Sequence, residues 1–101
     1  MNAGDVWMKE NNWYNAAFEY QKAIELYPSN IDAYQRLVLA YLYECQQMGE
    51  NCSEALELVN KLIATQPERA ALYEIRAMYF LNQGDSVAAE LDFQQADRYG
   101  E

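Results

Sequence analysis

A chain of 101 residues with 51% apolar content can form one small folded domain, and it is too apolar for a disordered segment even at a formal net charge of −9. That acidity disfavours nucleic-acid phosphates and anionic membrane surfaces, and favours partners that carry positive charge. Histidine is absent, which removes the commonest general base and the commonest metal ligand.

The four glycines and two prolines fall between apolar-periodic stretches, so the reading is all-α. No apolar run is long enough to span a bilayer, and the opening residues lack the charged-then-apolar pattern of a signal peptide. Residues 1–10, with Gly4, Trp7 and Met8, read as a short helix that Asn11-Asn12 interrupts. Asn12 is placed to cap a second helix, from Trp13 to about Leu26. Tyr27-Pro28-Ser29-Asn30 makes a turn, and Ser29 followed by Asp32 reads as a weak capping box. A long helix over 31–47 is followed by the loop MGENCS, in which Asn51 or Ser53 caps a helix reaching Ala64. Thr65-Gln66-Pro67 turns the chain into a fifth helix over 69–82. Gly84 is expected in the left-handed conformation at its end, and Asp85 caps a last helix over 86–99.

One spacing recurs along the chain. Ala16, Tyr20, Ala23 and Pro28 stand at relative positions 0, 4, 7 and 12; Ala55, Val59, Leu62 and Pro67 repeat this, and Ala89, Phe93 and Ala96 repeat it without the proline. Small residues at such sites let helix backbones approach, with aromatics filling the wedge beside each contact. A lone helical hairpin cannot bury its apolar face, so about three must stack.

The pattern resembles the tetratricopeptide repeat family, whose unit of about 34 residues is a helical hairpin ended by proline. Gly4, Trp7, Ala16, Tyr20, Ala23 and Pro28 match it in a first repeat unit, about 1–30. Tyr34, Leu37, Tyr41, Ala55 and Pro67 match in a second, about 31–69, with Leu62 in place of a small residue. Tyr73, Ala77, Phe80, Gly84, Ala89, Phe93 and Ala96 match in a third, about 70–101. The resemblance implies three stacked antiparallel helix hairpins in a short right-handed α-solenoid, forming a single domain.

It also implies a concave groove lined by the first helix of each hairpin, where family members commonly bind peptides. By position, the first repeat unit would contribute Asp5, Met8 and Lys9 to it. The second would contribute Gln35, Arg36, Leu39, Leu42 and Tyr43, and the third Glu74, Ile75, Met78, Leu81 and Asn82. The apolar members among these equally suit ordinary packing between helices. The family's carboxylate-clamp branch binds acidic termini through basic groove residues. Here only Lys9 and Arg36 could serve, with Asp5 and Glu74 opposing them, and Arg76 maps to a helix-packing position. An apolar floor with acidic edges instead suits an amphipathic or basic segment of a partner protein.

Three departures from the family pattern stand out. The first repeat unit starts about five residues in, which reads as a helix that begins late or, preferably, as a piece cut from a longer protein. The second repeat unit carries a five-residue insertion: Tyr41 to Ala55 spans 14 positions where Trp7 to Ala16 spans 9, so its first helix should run an extra turn. Cys45 and Cys52 lie in this insertion. They read either as a disulfide stapling the hairpin end in a periplasmic or extracellular setting, or as two thiols in the default cytoplasmic one. A metal site is not expected, since two thiolates without histidine leave a four-ligand site half built. The third repeat unit carries Asp97 where Ile24 and Ile63 stand in the others, as a solvated end helix needs; Val87 and Leu91 leave some apolar surface for self-association.

No nucleophile–base arrangement, phosphate loop or dinucleotide fingerprint appears, and neither an enzyme nor a cofactor is expected. The carboxylates, Glu44 and Asp92 among them, read as a solvated face. The leading expectation is a protein–protein interaction scaffold. The alternatives are a self-association module of a larger protein and an assembly or secretion chaperone.

Overall fold

The computed structural model describes Gly4, Met8 and residues 12–100. The described residues are all-α, with Gly4 and Met8 helical ahead of α1 (Trp13–Leu26), α2 (Ile31–Met48), α3 (Cys52–Thr65), α4 (Ala70–Asn82) and α5 (Ser86–Tyr99). They group into two compact bodies, Met1–Cys52 and Ser53–Glu101, and the division falls between the two helices assigned above to the second repeat unit. The expectations that rest on Asp5, Trp7 and Lys9 lie outside the described residues.

In the N-terminal body, the Asn12 side chain accepts the Asn15 N–H at 3.2 Å and so starts α1. Trp13, Ala16, Ala17 and Tyr20 recur at three- and four-residue spacing and form its buried stripe. α1 ends at Tyr27, whose N–H reaches the Ala23 carbonyl just before Pro28, a residue that disfavours helix in its predecessor. The cap of α2 is Asn30, whose side chain accepts the Ala33 N–H at 3.1 Å, and not the expected Ser29. Ser29 belongs to the turn closed by Asn30 N–H on the Tyr27 carbonyl, which leaves Asn30 as the residue adjoining the first helical turn.

α2 runs 18 residues against 14 for α1, the extra turn that the insertion called for. Gly49 ends it in the left-handed conformation, φ 70°, donating to the Cys45 carbonyl. α1 packs on α2, and Ala16, Val38, Ala40 and Leu42 are completely buried in this body. Gly4 lies against the ring of Tyr20. A methyl group at Gly4 would sit 2.5 Å from that ring, which is itself buried and has little room to retreat.

In the C-terminal body, Pro67 lies in the turn between α3 and α4, and the Tyr73 hydroxyl donates to the Pro67 carbonyl at 2.6 Å, fastening that turn to α4. Burial raises the Tyr73 hydroxyl above its ordinary pKa; neighbouring Tyr99 adds to this and Arg76 opposes it. The α4–α5 corner follows the sequence closely. Gly84 has φ 82°, with Gly84 N–H on the Leu81 carbonyl and Asp85 N–H on the Phe80 carbonyl. Asp85 then caps α5 by accepting the Ala88 N–H at 3.1 Å. Ala77 and Ala89 are buried where α4 and α5 pack, and the Tyr73 and Tyr99 rings stack 5.7 Å apart.

The carboxylate of Asp92 is buried, which corrects its reading as part of a solvated face. The Arg76 guanidinium grips it with two bonds of 2.8 Å, Nε to Oδ2 and Nη2 to Oδ1, and gives a third, 3.0 Å, to Asn60 Oδ1 on α3. One side chain on α4 therefore joins α3 and α5. The bond to Asp92 holds the Arg76 pKa above its usual value despite partial burial.

Two consequences are measurable. Gly4→Ala should lower the stability of the N-terminal body by about 1–3 kcal/mol, read by denaturant melts. Asp92→Ala should cost about 3 kcal/mol, because it strands the guanidinium at a helix interface, whereas Asp97→Ala, at an exposed position, should lie within about 0.5 kcal/mol of the parent.

Candidate functional site

Helix spacing places Tyr14, Phe18 and Gln21 on one side of α1, outside its buried stripe. Tyr14 is 72% and Phe18 53% exposed, unusual for aromatic rings in a small acidic body. Tyr41 and Glu44 from α2 face them, with Ala17 between and Asn51 beyond the end of α2. Together these residues enclose a cleft of about 210 Å³ within the N-terminal body.

Local hydrogen bonds set the shape of this cleft. Gln21 Nε2 donates to Tyr41 Oη at 2.6 Å across its rim. Asn51 Nδ2 donates to Glu44 Oε2, and Asn51 itself takes the left-handed conformation, φ 62°, that asparagine tolerates better than most residues. The position of Asn51 is fixed from both sides, because Cys45 and Cys52 form a disulfide with their Cα atoms 4.8 Å apart. Glu44 is 1% exposed, so it is a wall of the cleft and not the solvated carboxylate expected of it. On the outer side of α1, the Lys22 ammonium lies 5.2 Å from the centroid of the Phe18 ring and 3.8 Å from Glu19.

The residues assigned to a groove are distributed unevenly. In the N-terminal body Arg36 is exposed and Met8, Gln35 and Leu39 are half-buried. Tyr43 is also half-buried, with its ring 4.7 Å from that of Trp13. Leu42 is 0% exposed: it faces the interior of the α1–α2 packing and offers nothing to a partner. In the C-terminal body Glu74, Leu81 and Asn82 are exposed and Met78 is half-buried, while Ile75 is buried. Asp5 and Lys9 lie outside the described residues.

The aromatic cleft went unnoticed in the sequence. Its signal was present, since Tyr14 and Phe18 stand four apart on the side of α1 away from Trp13, Ala16 and Tyr20. A reading of repeat positions has no place for them. Among the described residues, no group of three His, Cys, Asp or Glu side chains could hold a metal, and no helix is long and apolar enough to cross a membrane.

No protein-family model matches the chain, and no curated protein matches it.

The disulfide closes a loop between residues seven apart. Its reduction, or Cys45→Ser with Cys52→Ser, should lower stability by about 2–3 kcal/mol in denaturant melts. The NMR signals of the Asn51 side-chain amide should move at the same time, because the loop that holds Asn51 against Glu44 is released.

Proposed function

We propose that this chain is a tetratricopeptide-like scaffold whose hairpins stack as a short right-handed solenoid, and that it binds a basic or amphipathic segment of another protein. The observation that supports this best lies on α4. Its outward positions Glu74, Met78, Leu81 and Asn82 form a face with apolar residues between polar ones, while Leu72, Ile75 and Ala77 are turned inward. Leu39 and Arg36 give α2 a face of similar composition. The net charge of −9 favours a segment carrying lysine or arginine, and methionine in the face lets it adapt to the segment's shape. The reading is non-catalytic.

The test is capture from the source cell's lysate followed by calorimetry with the purified partner segment. Leu39→Glu/Met78→Glu, shown by circular dichroism to remain folded, should weaken binding at least tenfold and leave the fold intact. If the variant binds as tightly as the parent, the groove faces are not the binding surface.

A second reading draws on α5. Val87 and Leu91 are 73% and 59% exposed one turn apart, an apolar strip that suits self-association. Sedimentation velocity distinguishes the two. A dimer that Val87→Glu/Leu91→Glu dissolves supports self-association, and a monomer at high micromolar concentration removes that reading.

A further inference from the structure

We propose that the cleft between α1 and α2 is a receptor for a single cationic side chain, a lysine or arginine carried by a partner's basic segment. This rests on the partner-binding function proposed above and assigns a specificity pocket to it.

Three properties of the cleft point to a cation. The first is its aromatic wall. Tyr14, Phe18 and Tyr41 converge on it, and the faces of such rings attract ammonium and guanidinium groups. Phe18 already shows that attraction within the body, since the Lys22 ammonium sits 5.2 Å from its centroid.

The second property is the polar lining. Among the described residues it contains no Lys or Arg, and its acidic member, Glu44, is buried in the wall with Oε2 accepting from Asn51. The amide nitrogens of Gln21 and Asn51 are engaged within the body, on Tyr41 and Glu44. Each amide keeps a second N–H as well as its carbonyl oxygen, so the pair can donate and accept. The charge that the described lining carries is that of Glu44, which suits a visiting group with positive charge better than a carboxylate or phosphate.

The third property is size. At about 210 Å³ the cleft lies below the range of about 300–1,000 Å³ usual for small-molecule sites. It can take the end of a side chain but not a cofactor or a helix. The occupant is therefore one residue of a longer chain whose remainder lies outside the cleft, and the net charge of −9 draws such a chain in.

Preorganisation completes the argument. The disulfide, the left-handed Asn51 and the Gln21–Tyr41 bond hold the rim in place before any ligand arrives. A cation entering meets groups already oriented, which reduces the ordering cost of binding.

The test is a ¹⁵N-NMR titration of the full, oxidised chain with four probes: N-acetyl-lysine-N-methylamide, its arginine and norleucine counterparts, and tetramethylammonium chloride. The lysine or arginine probe should shift the amide signals of Tyr14, Phe18, Tyr41 and Asn51 saturably, while the isosteric but uncharged norleucine probe should not. Phe18→Leu and Tyr14→Leu keep an apolar side chain at exposed positions and so spare the fold; each should weaken the cationic probe about threefold or more. Four results would overturn the proposal. The norleucine probe could bind as well as lysine; neither cationic residue could saturate; the shifts could fall elsewhere; or both leucine variants could bind like the parent. If tetramethylammonium binds more tightly than both residues, the cleft serves a free organic cation and the side-chain assignment fails. A one-residue probe makes no use of the groove faces on α2 and α4. Its failure would leave the partner-segment reading to the Leu39/Met78 test, and failure of that test would leave this one standing.

Discussion

Helix axes can come close only where the side chain between them is nearly absent, and both bodies are arranged around that constraint. In the N-terminal body, Gly4 gives up its side chain to the ring of Tyr20, and Ala16 and Ala40 are wholly buried in the same body as α1 and α2. In the C-terminal body, Ala77 and Ala89 are buried where α4 and α5 pack. Once the backbones are this near, larger groups have only the margins of each contact to fill. Tyr20 fills such a margin in the first body, and the paired rings of Tyr73 and Tyr99 lie within the second. In the second body, the buried Asp92 carboxylate enters the interior with partners at hand. The Arg76–Asp92 pair is admitted because the guanidinium fork satisfies both carboxylate oxygens and still reaches Asn60.

The same constraint governs the surface. Helices held together by small residues turn several of their large residues outward, and Tyr14, Phe18, Leu81, Val87 and Leu91 are exposed for that reason. The net charge of −9 adds a negative field to these apolar residues. That combination favours encounter with positively charged chains and offers them adhesive surface after contact.

How much of this could be read from the sequence depended on the range of the interaction. Caps and turns are local, and Asn12, Gly84 and Asp85 act as their residue types suggested. Ser29 misled because two capping residues stand side by side, and only the backbone decides between them; it chose Asn30. The extra turn of α2 followed from counting the insertion. Arg76 and Asp92 lie 16 residues apart, on different helices, so an isolated aspartate on a helix looked solvated until the fold brought the guanidinium to it. Glu44 was misjudged for a similar reason, its burial being decided by α1 and by the loop that the disulfide fixes. Of the groove residues, Leu42 shows the weakness of carrying positions over from a repeat pattern. A shift of one residue on a helix turns a side chain by about 100°, enough to move it from the surface into the core.

The most direct measurement is a set of intermolecular nuclear Overhauser effects between the oxidised chain and a lysine-containing amphipathic peptide. If the outward-facing residues are recognition surfaces, peptide side-chain protons should lie close to the ring protons of Tyr14 and Phe18 in the first body or to the Met78 methyl group in the second. A peptide that binds while showing contacts to none of these residues, or only to the α5 strip of Val87 and Leu91, would contradict the account.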